Sequence, residues 1–312
     1  MIIFSPVKYI YNCLFKMFLE TLVPSRRLRR CFKSCFAKHY LKKYVKKINK
    51  KEPNKNVKQL KMKEEIIWQF WHNGIENAPD IVKVCIQSID KFEPNKKHII
   101  LTMDTLKDYI DIPQKYYRLL KCGRMGMAHF SDIVRSLLLL KYGGYWIDAT
   151  VLLTAPLPEY ISRQDLFVFK DVVGDNLDGL NMTSYFIYSK PNNKLLKDVY
   201  TAVEYYWKDN NFLVNYFTWL HLFTMLSIQN KKDKEIFDKI PFVSFVPVQN
   251  FELIINKDFD KNMWDVLLQQ TSIHKLSYKF NFLKQNKIVK DSFYDYLISG
   301  RLIKGIGKNE KN

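Results

Sequence analysis

The sequence predicts an α/β fold, a mixed and mostly parallel sheet flanked by helices, preceded by a basic helical extension. Three observations carry that expectation. From residue 64 onward, short apolar runs alternate with segments of helical period, the succession that builds a parallel sheet wrapped by helices. Two carboxylates and an arginine fall where one helix begins and the following strand ends, which is where open α/β sheets bind ligands. Basic charge is concentrated at the start: of a formal net charge of +19 over 312 residues, +16 lies in residues 1–63, where eighteen Lys or Arg face only Glu20 and Glu52.

Residues 1–24 are rich in apolar side chains such as Ile3, Phe4, Phe15 and Leu19, interrupted by Lys8, Lys16 and Glu20. Three charges in that length disfavour a membrane span, and no small-residue cleavage site follows a leading positive region. From Arg26 to Lys51, twelve basic residues and no acid interleave with Leu28, Phe32, Phe36, Tyr40, Leu41, Tyr44, Val45 and Ile48. Apolar positions three to five apart fit an amphipathic basic helix on an anionic leaflet, so residues 1–51 are expected to contact a membrane surface. A solvated basic helix with a few core contacts and a nucleic-acid arm are the competing readings. No nucleic-acid reader motif accompanies the charge, and residues 64–312 are nearly neutral with 32 basic and 29 acidic residues, so no nucleic-acid partner is expected. Lys50–Lys63, with Pro53, reads as a linker, which divides the chain into an extension at 1–63 and an enzyme-sized domain at 64–312.

That domain opens with Ile66–Trp71 as a first strand and His72-Asn73-Gly74 as a turn. Pro79–Phe92 reads as a helix, with Pro at its first turn and Ile81, Val82, Cys85, Ile86 and Ile89 on one face. His98–Thr102 is a second strand. The apolar run Ile133, Val134, Leu137, Leu138, Leu140 is a core-facing helix closed by Gly143 and Gly144, after which Tyr145-Trp146-Ile147 is a short buried strand ending in Asp148. Leu166–Lys170 and Thr183–Ser189 are further strands, Asn192–Trp207 is a helix, and a later helix carries Tyr216, Phe217, Trp219, Leu220, His221, Leu222 and Phe223 as aromatic core.

The helix from Asp132 descends roughly 15 Å at 1.5 Å per residue, and Gly144–Asp148 climbs back roughly 13 Å at 3.3 Å per residue. Asp132, Arg135 and Asp148 are therefore expected to cluster, with Asp132 and Arg135 sharing a helix face. A surface ion pair beside a buried strand-end aspartate is the competing reading for any one of them.

The pattern S-D-x-x-R at Ser131–Arg135, then K-Y-G-G, then an aromatic strand ending in D-A-T-V, resembles the nucleotide-sugar-binding core of bacterial capsular polysaccharide synthesis glycosyltransferases. These are related to retaining GT-A glycosyltransferases with a D-x-D region, and the resemblance spans about Ile66 to Lys279. It implies a GT-A-type fold and a transferase moving a sugar from a nucleoside-diphosphate sugar, UDP-sugar favoured, to a polysaccharide or lipid-linked glycan acceptor on the cytoplasmic face of the membrane. A toxin-like protein glycosyltransferase and a non-catalytic sugar-nucleotide-binding protein are the alternatives. By resemblance, Asp132 and Arg135 hold the ribose and the sugar or diphosphate, and Asp148 is the first aspartate of D-x-D. Thr150 stands where a second carboxylate is usual, so a divalent metal, Mn2+ or Mg2+, is expected on Asp148 with Thr150 and His274 as weaker ligands.

The first strand resembles the family's I-W-Q-x-W opening, and Trp71 at its end is a candidate to stack a base, with core packing as the alternative. Asn181 and Ser184 are candidate sugar or acceptor contacts by resemblance. His221 is a third, against packing within its aromatic helix. His274-Lys275-Leu276 resembles the family's last motif and is expected on the departing diphosphate, Lys275 more than His274 because it is charged at neutral pH; a surface His-Lys pair on a strand is the alternative. Five cysteines without paired C-x-x-C spacing exclude a zinc site and a disulfide framework, which fits a reducing cytosol. The chain has no G-x-x-x-x-G-K-[ST] loop, no G-x-G-x-x-G and no G-x-S-x-G elbow.

Overall fold

The computed structural model describes residues 6–50, 64–171 and 177–305; the linker expected at 50–63, apart from Lys50 at the end of the second helix, and residues Ile3 and Phe4 lie outside them. Two helices come first, α1 (Pro6–Leu22) and α2 (Arg26–Asn49). They are divided at Pro24 and Ser25, and the Ser25 hydroxyl caps α2 by accepting the Leu28 N–H.

A βαβ unit follows: β1 (Ile66–Phe70), α3 (Asp80–Phe92) and β2 (Lys97–Leu101). Pro79 precedes α3, where an absent N–H leaves nothing unpaired, and Ile81, Val82, Cys85, Ile86 and Ile89 are its buried stripe, as their spacing requires. Next come α4 (Gln114–Lys121), α5 (Met127–Lys141), β3 (Gly144–Ile147) and β4 (Val151–Leu153). Gly143 ends α5 in the left-handed region at φ 72°. Gly144 sits at φ 93°, and a Cβ there would lie 2.3 Å from the Ile66 carbonyl oxygen, so β3 can lie this close to β1 only with glycine at its start. The remaining elements are α6 (Glu159–Ser162), β5 (Leu166–Lys170), β6 (Met182–Ser189), α7 (Lys194–Asp209), α8 (Thr218–Gln229), α9 (Lys231–Lys239) and α10 (Val246–Ile254). They are followed by α11 (Lys261–Gln270), β7 (Ile273–Lys275) and the short helices α12 (Asn281–Lys284), α13 (Phe293–Ile298) and α14 (Arg301–Gly305).

The main sheet has the order β2-β1-β3-β6-β5. β1 pairs in parallel with β2 and β3, while β6 is antiparallel to both β3 and β5, so four strands share one direction and β6 opposes them. This is the mixed, mostly parallel sheet with flanking helices that the alternation of elements predicts. Its consequence for function is local: β1 and β3 end side by side, and β6 begins where they end. β4 and β7 form a separate antiparallel ribbon, packed with α3, α10, α11 and α13 around Leu152, Phe251, Trp264 and Phe293.

Two expectations need correction. The basic stretch is not set apart from the domain that follows: Ala37, Leu41, Tyr44, Val45 and Ile48 of α2 are at most 4% exposed and pack against α7 and α8 within the main core. Asn210 joins the two sides, accepting from the Tyr40 hydroxyl at 2.5 Å and donating to the Tyr44 oxygen at 2.7 Å. The spacing that suits a membrane leaflet suits a protein core equally, and here the core takes those side chains; of the stripe, Leu28 and Phe32 remain exposed. The aromatic helix expected from Tyr216 starts instead at Thr218, and Tyr216 lies before it, 65% exposed.

Candidate active site

Asp132 and Arg135 stand one turn apart on α5, and Asp148 is the first residue past β3. The Asp148 N–H donates to the Tyr185 carbonyl at 2.8 Å, so the antiparallel β6 fixes the strand end that carries the carboxylate. Arg135 bridges the two acids: Nη1 lies 3.2 Å from Asp132 Oδ1 and Nη2 3.4 Å from Asp148 Oδ1, while Nη1 also donates to the Ser184 carbonyl at 2.7 Å. Only 4% of Arg135 is exposed, and its guanidinium lies 5.0 Å from the Trp146 ring centroid. A cation so held cannot drift, and both carboxylates are held with it.

Two residues that the sequence did not single out position these acids. The Trp146 indole donates to Asp148 Oδ1 at 2.8 Å, across the two-residue interval at which strand side chains share a face. His129, three residues before Asp132 on the same helix, accepts the Trp207 indole N–H on Nε2 at 3.0 Å, which orients the ring with its Nδ1 3.3 Å from Asp132 Oδ2. Their i−2 and i−3 spacings were the available signals.

β7 separates the paired candidates His274 and Lys275. Strand side chains alternate, so the two residues face opposite ways. His274 is fully buried among Phe251 and Trp264, with its Nε2 3.3 Å from the Thr154 hydroxyl, and burial pulls its pKa down to about 4. It reaches neither a diphosphate nor a metal, which corrects both roles expected of it. Lys275 is half-buried, faces the cleft, and donates from Nζ to Thr150 Oγ1 at 2.5 Å and to the Leu276 carbonyl at 2.9 Å. It has no carboxylate within ion-pair distance among the described residues.

Asn181 and His221 also miss the cleft. Asn181 is 2% exposed and spends its amide on Thr224 and Ser227 of α8. His221 is fully buried with both ring nitrogens unpartnered, its pKa pulled down to about 4 by burial, so it serves as packing. Trp71 and Ser184 do reach the cleft; Trp71 meets the Tyr278 ring edge-on at 5.1 Å.

These residues open on a cleft of about 780 Å3, a size that suits a small-molecule ligand. Its walls balance four cations, Arg30, Arg135, Lys275 and Lys279, against four aspartates, at 132, 148, 171 and 178. A diphosphate entering it would bring uncompensated negative charge, so a divalent cation has a reason to enter with it. Asp148 Oδ2 takes no hydrogen bond among the described residues, whereas the Thr150 hydroxyl is engaged by the Lys275 ammonium and His274 is enclosed. The side chains present therefore fit Mg2+ or Mn2+ held by one carboxylate together with the ligand's phosphates and water. They do not fit the Asp148–Thr150–His274 set, and among the described residues no three His, Cys, Asp or Glu converge on one point.

A family model described as capsular polysaccharide synthesis protein matches residues 24–297. The O-glycosyltransferase braB of Annulohypoxylon truncatum is 24% identical over 191 residues, which cover 58% of this chain and 42% of that protein; the chain thus spans less than half the length of this curated relative. A solved structure named PaToxG Glycosyltransferase aligns over 89% of this chain and 97% of its own at 12% identity and a TM-score of 0.38, too low to bear on the fold. The family match begins just before α2 and runs into α13, beyond both ends of the resemblance read from the motifs, and takes in the helix that completes the core. With most of its length matched, the chain belongs to the capsular polysaccharide synthesis protein family.

Proposed function

We propose that this protein is a glycosyltransferase that moves a sugar from a nucleoside-diphosphate donor to a capsular or other cell-surface polysaccharide acceptor. The observation that carries the reading is the Asp132–Arg135–Asp148 cluster at the joined ends of β1 and β3, with the unpaired ammonium of Lys275 in the same cleft. In this reading Trp71 stacks the base, Asp132 holds the ribose, Arg135 the sugar or diphosphate, and Ser184 offers a hydroxyl contact. As the bond between sugar and phosphate breaks, negative charge grows on the departing nucleoside diphosphate. Arg135 and Lys275 are fixed cations facing that charge, which is the geometry that lowers a barrier electrostatically. Mg2+ or Mn2+ held at Asp148 would add charge neutralisation on the phosphates. The transfer retains anomeric configuration and uses a UDP-sugar, as in the families this core resembles.

Work at the cytoplasmic face of an anionic membrane completes the reading, supported by exposed apolar residues on α1 and the basic first turns of α2. No helix among the described residues is long and apolar enough to cross a membrane. The test is release of nucleoside diphosphate from a panel of UDP- and GDP-sugars by the full chain, with and without Mn2+ or Mg2+. Turnover of one donor is expected. Neither turnover nor donor binding, by protein that melts cooperatively, would overturn the reading in favour of a non-catalytic role.

A further inference from the structure

A second cavity, of about 720 Å3, lies between α1, the first turns of α2 and the 214–217 segment. It shares Arg30, Asp178, Tyr216 and Phe217 with the cleft, so the two spaces adjoin along a common wall. Its charge differs from that of the cleft. Arg26, Arg29, Arg30 and Lys33 face Glu20 and Asp178, which leaves a formal +2 where the cleft is balanced. Both acids are engaged: Asp178, 3% exposed, accepts from Arg30 Nε at 2.6 Å and from Ser34 Oγ at 2.8 Å, and Glu20 pairs with Lys33 at 3.0 Å. Arg26 and Arg29 make no ion pair among the described residues. Two guanidinium groups in one concavity suit the planar, bidentate capture of phosphate oxygens.

The surroundings say what carries the phosphate. Leu14, Met17, Phe18 and Leu22 of α1 and Leu28 and Phe32 of α2 are 51–63% exposed, six of the sixteen large exposed hydrophobics among the described residues, gathered within nineteen residues of chain. The other face of α1 is occupied, with Leu19 buried and Phe15 stacked on Phe36 at 4.3 Å. Arg29 spends one Nη1 hydrogen bond on the Glu20 carbonyl at 3.4 Å, and exposed apolar side chains flanking arginines without an ion pair are the composition of a surface that meets lipid headgroups and acyl chains together. A soluble anion would have no use for the apolar residues.

We propose that this cavity binds the phosphate or diphosphate of a lipid-linked acceptor, with the lipid against α1 and the attached glycan passing Tyr216 and Phe217 into the cleft. The assignment of an acceptor rests on the transferase reading, whereas phosphate-lipid binding can be measured without it. The experiment is cosedimentation of the full chain with phosphatidylcholine vesicles containing phosphatidic acid, whose headgroup is a phosphomonoester, and with phosphatidylcholine alone. Two double variants are compared: Arg26→Ala with Arg29→Ala in the cavity, and Arg27→Ala with Lys42→Ala, which remove the same charge from α2 outside it. Binding to phosphatidic acid is expected to fall by at least about tenfold in the first and about threefold or less in the second, with soluble pyrophosphate competing. Equal losses in both pairs indicate a diffuse electrostatic surface and overturn the proposal, as does no loss in the cavity pair. Pyrophosphate binding without vesicle binding overturns the assignment to a lipid. Donor turnover by the native chain is recorded separately, so its failure ends the transferase reading and leaves the vesicle result standing.

Discussion

Replacing Lys275 by Met removes one charge and keeps the stem that lies beside the Tyr185 ring, whose centroid is 5.9 Å from Nζ. Asp132, Arg135, Asp148 and Lys275 together carry no net formal charge, so the variant leaves the site at −1 where a diphosphate must bind and depart. A phosphate at about 4 Å from an ammonium in surroundings of effective dielectric about 20 gains about 4 kcal/mol. Loss of that contact predicts a fall in kcat/KM of about 100- to 1000-fold, the range seen when one preorganised donor is removed from a developing anion. The stability cost is small by comparison: two hydrogen bonds, to Thr150 Oγ1 and the Leu276 carbonyl, at about 1 kcal/mol each from a half-buried group. The assay is nucleoside diphosphate release across donor concentrations, with thermal melts run beside it. A Lys275→Met protein that melts within a few degrees of native and keeps kcat/KM within about threefold would refute the assignment of Lys275 to the leaving group.

Deleting residues 1–49 removes Leu41, Tyr44, Val45 and Ile48 from the core, about 8 kcal/mol at about 2 kcal/mol each, comparable to the whole stability of an ordinary domain. The remaining chain is expected to lose its cooperative melt, and a native-like transition would show α2 to be dispensable. Mn2+ titrated by electron paramagnetic resonance is expected to bind appreciably only with nucleoside diphosphate present, because the donor set assigned to it supplies a single carboxylate, Asp148; tight binding without nucleotide contradicts that donor set. His274 and His221 have folded pKa values pulled down to about 4 by burial, below the unfolded value near 6.5. Their neutral forms therefore contribute stability that is complete above about pH 6.5 and is lost as pH falls toward 4, by about 3 kcal/mol each. Urea unfolding of native and His274→Leu proteins at pH 7.5 and 4.5 is expected to show a smaller acid loss in the variant; parallel losses would show that His274 is not the source.

The sequence made the cluster legible because helix rise, a glycine C-cap and strand rise are local quantities, and Asp132, Arg135 and Asp148 follow from them alone. It also gave the buried face of α3, whose stripe has one period and one partner. What it could not give was partnership at a distance. The apolar stripe of α2 has the same spacing whether lipid or α7 and α8 cover it, and the surrounding lysines drew attention to charge. Likewise Ile273–Lys275 has too few residues to reveal which face of β7 is buried; only its pairing with β4, Leu152 opposite His274 and Val151 opposite Lys275, separates the enclosed imidazole from the cleft-facing ammonium. Asn181 and His221 carry chemistry suited to a sugar, but Asn181 spends its amide on Thr224 and Ser227 of α8 and His221 is enclosed within that helix's buried face, so neither meets the cleft.

In the proposed transfer, donor turnover depends on the carboxylate of Asp148. That dependence is tested most directly by Asp148→Asn, which keeps the size of the side chain and leaves an oxygen for the Trp146 indole while removing the charge beside Arg135. Nucleoside diphosphate release from the donor that the native chain uses is measured for both proteins, with matched thermal melts. Turnover is expected to fall by at least about 100-fold in a folded variant. Full turnover in that variant would contradict the dependence.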